Sequence, residues 1–239
     1  MICPSCETEY ERLGSHWYWN EGHRPALTDY QREIITGLMM SDGTLERGGE
    51  NPFLTVSMIT KEYIDWLDVT FTHFSTGTDL HRTASEKAKD RRKYGFDESA
   101  SSKDYHNMWR FRTCSLPELS DFNWYTGDSG KKVWPEDIDL TPTVLTHWFV
   151  GDGHWKNRES SDHISIAASN EFENKDKIDN YFTQANLPTP SNYNKYKTNN
   201  TQNMELEFTV EDSYTIFEYM DPAPPGFGYK FPDEYISTE

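Results

Sequence analysis

Along this chain the apolar positions fall into two runs that repeat each other. The first, Ile34-Ile35-Thr36-Gly37-Leu38-Met39-Met40-Ser41-Asp42-Gly43, returns in altered form as Val144-Leu145-Thr146-His147-Trp148-Phe149-Val150-Gly151-Asp152-Gly153. Each follows a helix-start signal. Thr28 with Gln31 three residues on makes a capping box, and Thr141-Pro142 places a capping hydroxyl before a proline suited to the first helical position. The pattern predicts two helices too apolar to face water on one side, both stopping at glycine, which tolerates a left-handed C-terminal conformation. Packed together, they would bring Asp42 and Asp152 side by side at one end.

Between and after these helices the period shortens to two. Residues 42–49 read as a strand running into a turn. In a second strand, Phe53 to Ile59, Leu54, Val56 and Met58 face the helices while Thr55 and Ser57 face out. Lys61 to Phe74 is an amphipathic helix with Ile64, Leu67, Phe71 and Phe74 inward. Leu80 to Thr83 and Met108 to Thr113 pair as strands across a long basic and polar loop, and Leu116 to Tyr125 is a short helix. The second half repeats the order: strand His163 to Ala168, helix Asn174 to Ala185, strands near Tyr193 to Lys197 and Met204 to Val210, helix Ser213 to Met220. Gly228-Tyr229-Lys230-Phe231-Pro232 echoes Gly130-Lys131-Lys132-Val133-Trp134-Pro135, so each copy closes on a lysine. The expected class is α+β, two αββαββα halves over residues 27–135 and 136–239, with residues 1–26 as an added segment.

Composition allows a sizeable core: 239 residues, 35% hydrophobic and 15% aromatic, with eight Trp. No apolar run approaches the roughly 18 residues that cross a bilayer, and the N-terminus does not read as a signal peptide, so a cytoplasmic protein is expected. A formal charge of -17 ordinarily argues against a nucleic-acid partner, whose phosphates attract Lys and Arg. The acidic excess, however, sits in loops and tails, whereas Lys87, Lys89, Arg91, Arg92 and Lys93 form a basic cluster. The acidity reads as a solvated surface suited to high salt, as in salt-loving microbes. In the strand Met108 to Thr113, Trp109 and Phe111 point one way and Arg110 and Arg112 the other, which fits a nucleic-acid surface and an ordinary solvated face equally well.

Cys3-Pro4-Ser5-Cys6, then His16 and His23, supply four ligands able to close a tetrahedral zinc site in a segment too short for its own core. The spacings are not those of the common zinc finger; a redox pair or reduced cysteines with incidental histidines are the alternatives. Elsewhere, two carboxylates at adjoining helix ends, each with a lysine supplied later in its own half, suit phosphodiester hydrolysis assisted by hard divalent ions such as Mg²⁺.

The two Asp-Gly helices resemble those of the LAGLIDADG homing endonucleases. Residues 35–43 match the nine-residue motif at the central Gly-Leu and final Asp-Gly, and residues 145–153 look like the Trp-Phe-x-x-Asp-Gly variant of second copies. The resemblance, single-chain and two-motif, runs over nearly all of residues 28–232, including Leu140-Thr141-Pro142 and the Tyr-Lys-Phe close. It implies a monomer with two pseudo-symmetric halves joined at the paired helices, whose saddle-shaped antiparallel sheets lie on a long, asymmetric double-stranded DNA target. Asp42 and Asp152, with the backbone of Gly151, would hold the divalent ions, and Lys132 and Lys230 would stand near the scissile phosphates. Contacts to DNA would come from Arg47, Thr55, Ser57, Lys61, Arg82, Arg110, Arg112, Asn170, Lys195 and Lys197. Two features depart from the pattern: His147 stands where a small residue often lets the helices approach, and Glu205 and Glu207 fall on the expected DNA side. A site-specific double-strand endonuclease is thus the expected function, with an inactive RNA maturase or DNA-binding regulator of the same fold as the alternative. A glycosidase using Asp42 and Asp152 fits the carboxylates but not the doubled helix.

Overall fold

The computed structural model describes residues 2–3, 5–10, 20–47, 49–126, 131–156, 162–198 and 201–236. The chain divides into two compact units, residues 1–31 with 43–121 and residues 32–42 with 122–239. The class is α+β, and each copy of the repeat forms a four-stranded antiparallel sheet.

Helix α1 (Asp29–Met40) starts as the sequence predicts. The Gln31 amide donates to Thr28 Oγ1 at 3.2 Å while the Thr28 amide donates to Gln31 Oε1 at 3.1 Å, the reciprocal pairing of a capping box. Strands β1 (Thr44–Arg47) and β2 (Pro52–Met58), helix α2 (Lys61–Thr70), strand β3 (Ser75–Arg82), helix α3 (Ala84–Lys93) and strand β4 (Met108–Thr113) follow, and the sheet order is β1-β2-β4-β3. Leu54, Val56 and Phe111 are fully buried, as are Tyr63, Ile64 and Leu67 of α2, so period-two burial in the sheet meets a helical stripe, as amphipathic packing requires. The segment read as a long loop between the second strand pair in fact contains α3. Its polarity hid it: Ala88 is its one buried residue, so it has no apolar stripe to signal a helix. The strand expected at Leu80 begins earlier, at Ser75, and the short helix expected at residues 116–125 is a 3-10 stretch at Pro117–Phe122.

A hairpin of β5 (Tyr125–Thr126) and β6 (Lys131–Lys132) leads to helix α4 (Pro142–Asp152), where Thr141 Oγ1 accepts the Val144 amide at 3.3 Å and Pro142 occupies the first turn. Strands β7 (Gly153–Lys156) and β8 (His163–Ala167), helix α5 (Lys175–Gln184), strands β9 (Asn192–Thr198) and β10 (Thr201–Glu207) and helix α6 (Val210–Tyr219) complete the copy, in sheet order β7-β8-β10-β9. The two sheets thus share one topology. Strand β7, starting on the residue after α4, has no separate signal in the sequence because its short run carries one large apolar residue, Trp155. The second unit's core is aromatic: Trp134 meets Trp148 edge-on at 5.2 Å, Phe149 meets Phe231 at 5.3 Å, and Trp155 meets Phe217 at 5.1 Å.

The glycines at the helix stops do not act as left-handed caps. Neither Gly43 nor Gly153 takes a left-handed conformation; Gly153 lies at φ -87. At Gly153 glycine is needed for space, since a Cβ there would fall 2.0 Å from Phe149 Cδ2. Among the described residues no helix is long and apolar enough to cross a membrane.

Candidate active site at the paired helix ends

Within the second unit, residues 32–42 of α1 pack against α4, and the closeness is set by two glycines. A Cβ on Gly37 would lie 2.5 Å from Val144 O and 2.7 Å from His147 Cβ. One on Gly151 would lie 2.5 Å from Ser41 Cβ and 3.5 Å from Asp42 Oδ2. Each helix therefore offers glycine where the other offers a larger group: Gly37 faces His147, and Gly151 faces Ser41. That pairing accommodates the histidine, which had looked too large for the interface. His147 is buried, and burial pushes its imidazole down to about 3, so it is neutral. Ser41 Oγ sits 3.1 Å from Gly37 O and 3.4 Å from His147 O, a polar stitch between the helices.

At the C-terminal ends of these helices stand Asp42 and Asp152. Asp42 keeps a side open to solvent and Asp152 is half-buried, yet the surrounding helix ends remove enough water from both carboxylates to raise them. Burial, reinforced by the charge of Asp42, pushes Asp152 up to about 7; burial also raises Asp42, against the pull of Lys230 and Lys132. Two carboxylates that each resist ionising are a poor arrangement for a bare protein and a good one for a bound cation.

Both lysines reach this end. Lys132, on β6, donates to Ser41 O at 2.7 Å and Met39 O at 3.1 Å. Lys230, in a 3-10 turn at Gly228–Lys230, donates to Val150 O and Gly153 O, each at 2.8 Å. Each ammonium thus closes the C-terminus of its own copy's helix, satisfying carbonyls that have no partner within the helix and meeting the negative end of its dipole. Burial lowers both lysines, and the two aspartates oppose that shift. The site is one cluster of two carboxylates and two ammonium groups, all on second-unit residues.

A support for Lys132 has no sequence signal. Glu171 and Lys177 are buried and paired at 3.0 Å; Glu171 Oε1 accepts the Trp134 amide at 2.7 Å, and Lys177 Nζ donates to Trp134 O at 2.9 Å. The ion pair clamps both backbone groups of a residue two positions beyond Lys132. Charged residues in a polar stretch normally read as solvated, so burial here could not be inferred from type.

The remaining candidates divide by sheet face. In the first sheet Thr55 is aligned with Arg112, and Ser57 with Arg110 and then Asp79, all opposite the helix-covered side. Arg110 is bound to Asp79 by two hydrogen bonds, Nε to Oδ1 at 3.0 Å and Nη2 to Oδ2 at 2.6 Å, which hold the Asp79 carboxyl below its ordinary range. Thr55 is buried and its hydroxyl has no hydrogen-bond partner among the described residues. Arg47 falls on the other side: it is aligned with Pro52 and shares the face of Leu45. Lys61 pairs with Asp65 at 2.5 Å and lies over Trp109, and Arg82 pairs with Asp90. In the second sheet Lys195 is aligned with buried Met204, and Lys197 has the same parity, so both lie on the helix side, Lys195 over the Phe172 ring. The outer side there carries Ser165, Asn194, Tyr196, Glu205 and Glu207, with Lys156 within 3.5 Å of both glutamates. Asn170 is half-buried in a 3-10 turn at Ser169–Glu171.

At the N-terminus Cys3, Cys6 and His23 place their ligand atoms within 4.8 Å of one another; His16 lies outside the described residues. A tight turn, Glu7 amide to Cys3 O at 2.8 Å and Cys3 amide to Thr8 O at 3.0 Å, brings the two thiols together. Hydrogen bonds from the Thr8 backbone and hydroxyl pull the Cys6 thiol down to about 6, favouring the thiolate that binds metal.

Comparison with known proteins places these observations. A model described as the LAGLIDADG DNA endonuclease family matches residues 32–216. A curated relative, the DNA endonuclease I-ChuI of Chlamydomonas applanata, is 25% identical over 147 residues, 57% of this chain and 64% of that protein's length. Among solved structures, the homing endonuclease I-WcaI bound to its DNA recognition sequence superimposes with a TM-score of 0.66 at 16% identity, covering 86% of this chain and 87% of that one; at that identity the likeness is one of fold.

Proposed function

The chain belongs to the LAGLIDADG DNA endonuclease family, and from that premise we propose that it is a site-specific double-strand DNA endonuclease, acting as a monomer on a long, asymmetric target. The observation that supports this reading most directly is the convergence of Asp42, Asp152, Lys132 and Lys230 at one pair of helix ends. The donor set fits a hard divalent ion: two carboxylates that resist ionising without a cation, and the backbone of Gly151 beside Asp42. Such an ion supplies a hydroxide-like nucleophile and charge neutralisation when bound.

The chain's own residues do the rest. Asp42 and Asp152 hold negative charge at a fixed separation because Gly37 and Gly151 let the helices touch. Lys132 and Lys230 hold positive charge beside them, where negative charge grows on a phosphate under attack. On the first sheet's outer face, Arg112, Ser57 and the Asp79-held Arg110 form the DNA-reading surface. Retention of both aspartates and both lysines speaks against an inactive maturase or regulator. The test is incubation with DNA spanning the insertion site of the protein's own gene: cleavage with Mg²⁺ and none with chelator is expected. Asp42→Asn or Asp152→Asn should bind that DNA and leave it intact, and cleavage by either variant would remove these residues from the site.

Cys3, Cys6 and His23 complete the reading as a structural zinc site tying the N-terminal turn to the 3-10 stretch at Glu21–His23. Protein purified without chelator should carry one zinc, and Cys3→Ser should lose it; zinc-free protein of unchanged stability would refute the site.

A further inference from the structure

Helix α3 is unlike the rest of this protein. Five of its ten residues, Lys87, Lys89, Arg91, Arg92 and Lys93, are cationic in a chain of formal charge -17. Its two acidic groups are already engaged: Glu86 receives the Thr83 amide at 2.8 Å in a capping box, and Asp90 pairs with Arg82. The helix is also held firmly. The Ala84 amide donates to Asn107 Oδ1 at 3.0 Å, the Arg92 guanidinium donates to Ala100 O, and Ala88 is buried beneath it. What remains outward is Lys89, Arg91 and Lys93, with the last two beside the rings of Phe96 and Tyr94, themselves 64% and 63% exposed. Three like charges on a surface that nothing in the described residues covers are unfavourable unless a polyanion meets them.

We propose that α3 is an auxiliary contact for the phosphate backbone of duplex DNA, set at the end of the first sheet and adding affinity without base specificity. The helix is inserted between β3 and β4, the strands that carry Asp79, Arg110 and Arg112, and its Asp90 is bound to Arg82 at the end of β3, so it stands at the end of that sheet. Phosphate is favoured over base contact because the outward groups are ammonium and guanidinium groups on a rigid helix rather than base-edge readers on a strand. The proposal rests on the DNA-binding reading, but its test reads binding and not cleavage.

The experiment compares wild type with the triple variant Lys89→Gln, Arg91→Gln, Lys93→Gln in chelator, titrating a long random-sequence DNA duplex over a series of salt concentrations. Each lost phosphate contact flattens the plot of log affinity against log salt by about 0.9, so a decrease of about 2 to 3 is expected. The charge-conserving variant Lys89→Arg, Arg91→Lys, Lys93→Arg should keep the wild-type slope. An unchanged slope in the neutral variant overturns the proposal, as does a slope that falls on duplex RNA but not on DNA. If wild type shows no salt-dependent duplex binding at all, both this inference and the nuclease reading fall; if it binds as expected but cleaves nothing, only the nuclease reading does.

Discussion

Replacing Asp152 with Asn should make the metal-free protein more stable while removing its activity. The Asp152 carboxyl stands at about 7 in the fold against an ordinary 3.8. A folded value raised above the unfolded one means that the protonated form fits the fold better. Its stabilisation is complete below pH 3.8, fades as pH rises, and is gone above about 7. A displacement of about three pH units at ~1.36 kcal/mol each sets a ceiling near 4 kcal/mol. Because Asp152 is only half-buried and water can reorganise around it, about 1 to 3 kcal/mol is the expected penalty at pH 8. Asp152→Asn cannot ionise and escapes that penalty. Urea unfolding in chelator at pH 4 and pH 8 measures it: the two proteins should nearly coincide at pH 4, and the variant should exceed wild type at pH 8. Other carboxylates, among them Asp79, Glu86 and Glu207, shift the opposite way, but they are common to both proteins and cancel in the difference. Mg²⁺ at a hundred times its dissociation constant should then restore about 2.7 kcal/mol to wild type and much less to the variant. A variant less stable than wild type at pH 8 without metal, or a gap that does not change with pH, would refute the reasoning.

Gly37→Ala places a methyl against Val144 O and His147 Cβ; overpacking of a rigid interface should lower stability by about 1 to 3 kcal/mol in urea unfolding, with cleavage lost in parallel. Lys132→Met leaves Ser41 O and Met39 O without their ammonium donor and should lower the unfolding midpoint by the equivalent of about 1 to 3 kcal/mol as well as slow cleavage, whereas an active variant of unchanged stability would deny both roles. Glu171→Leu removes the buried partner of Lys177 and leaves it only the exposed Glu136 carboxylate at 3.3 Å, for which a loss of up to about 3 kcal/mol is expected from chemical denaturation. Removal of salt should unfold or precipitate a chain of charge -17 if its surface is adapted to high salt, as circular dichroism across a dilution series would show; full stability in dilute buffer would count against that adaptation.

The parts of the fold that could be read from sequence were those where one physical requirement wrote one pattern. The apolar helices, their capping hydroxyls at Thr28 and Thr141 and the alternation Leu54-Val56-Met58 each follow from burial or from an unsatisfied amide, and all appear where expected. What escaped was set by partners distant in sequence. The helix Ala84–Lys93 is held by its cap, Asn107 and the Arg82–Asp90 ion pair rather than by an apolar stripe. Glu171 and Lys177 are buried because Trp134 supplies both of their backbone partners. Lys195 and Lys197 look like outward groups of an amphipathic strand until the register with Met204 assigns them to the helix side.

The site itself follows from a single economy in the repeat. A buried helix needs its last carbonyls satisfied, and each copy answers with a lysine brought back from its own C-terminal segment. That requirement alone would put two ammonium groups where the helices end. The same close packing that Gly37 and Gly151 permit brings the two helix ends together, so two carboxylates and two ammonium groups concentrate in one place for reasons of folding. Charge built up by structural demand is then available for phosphate chemistry. This is why changes at the lysines should damage stability and activity together, while Asp152→Asn should separate them: the lysines complete the helices, and the aspartates work against the fold that holds them.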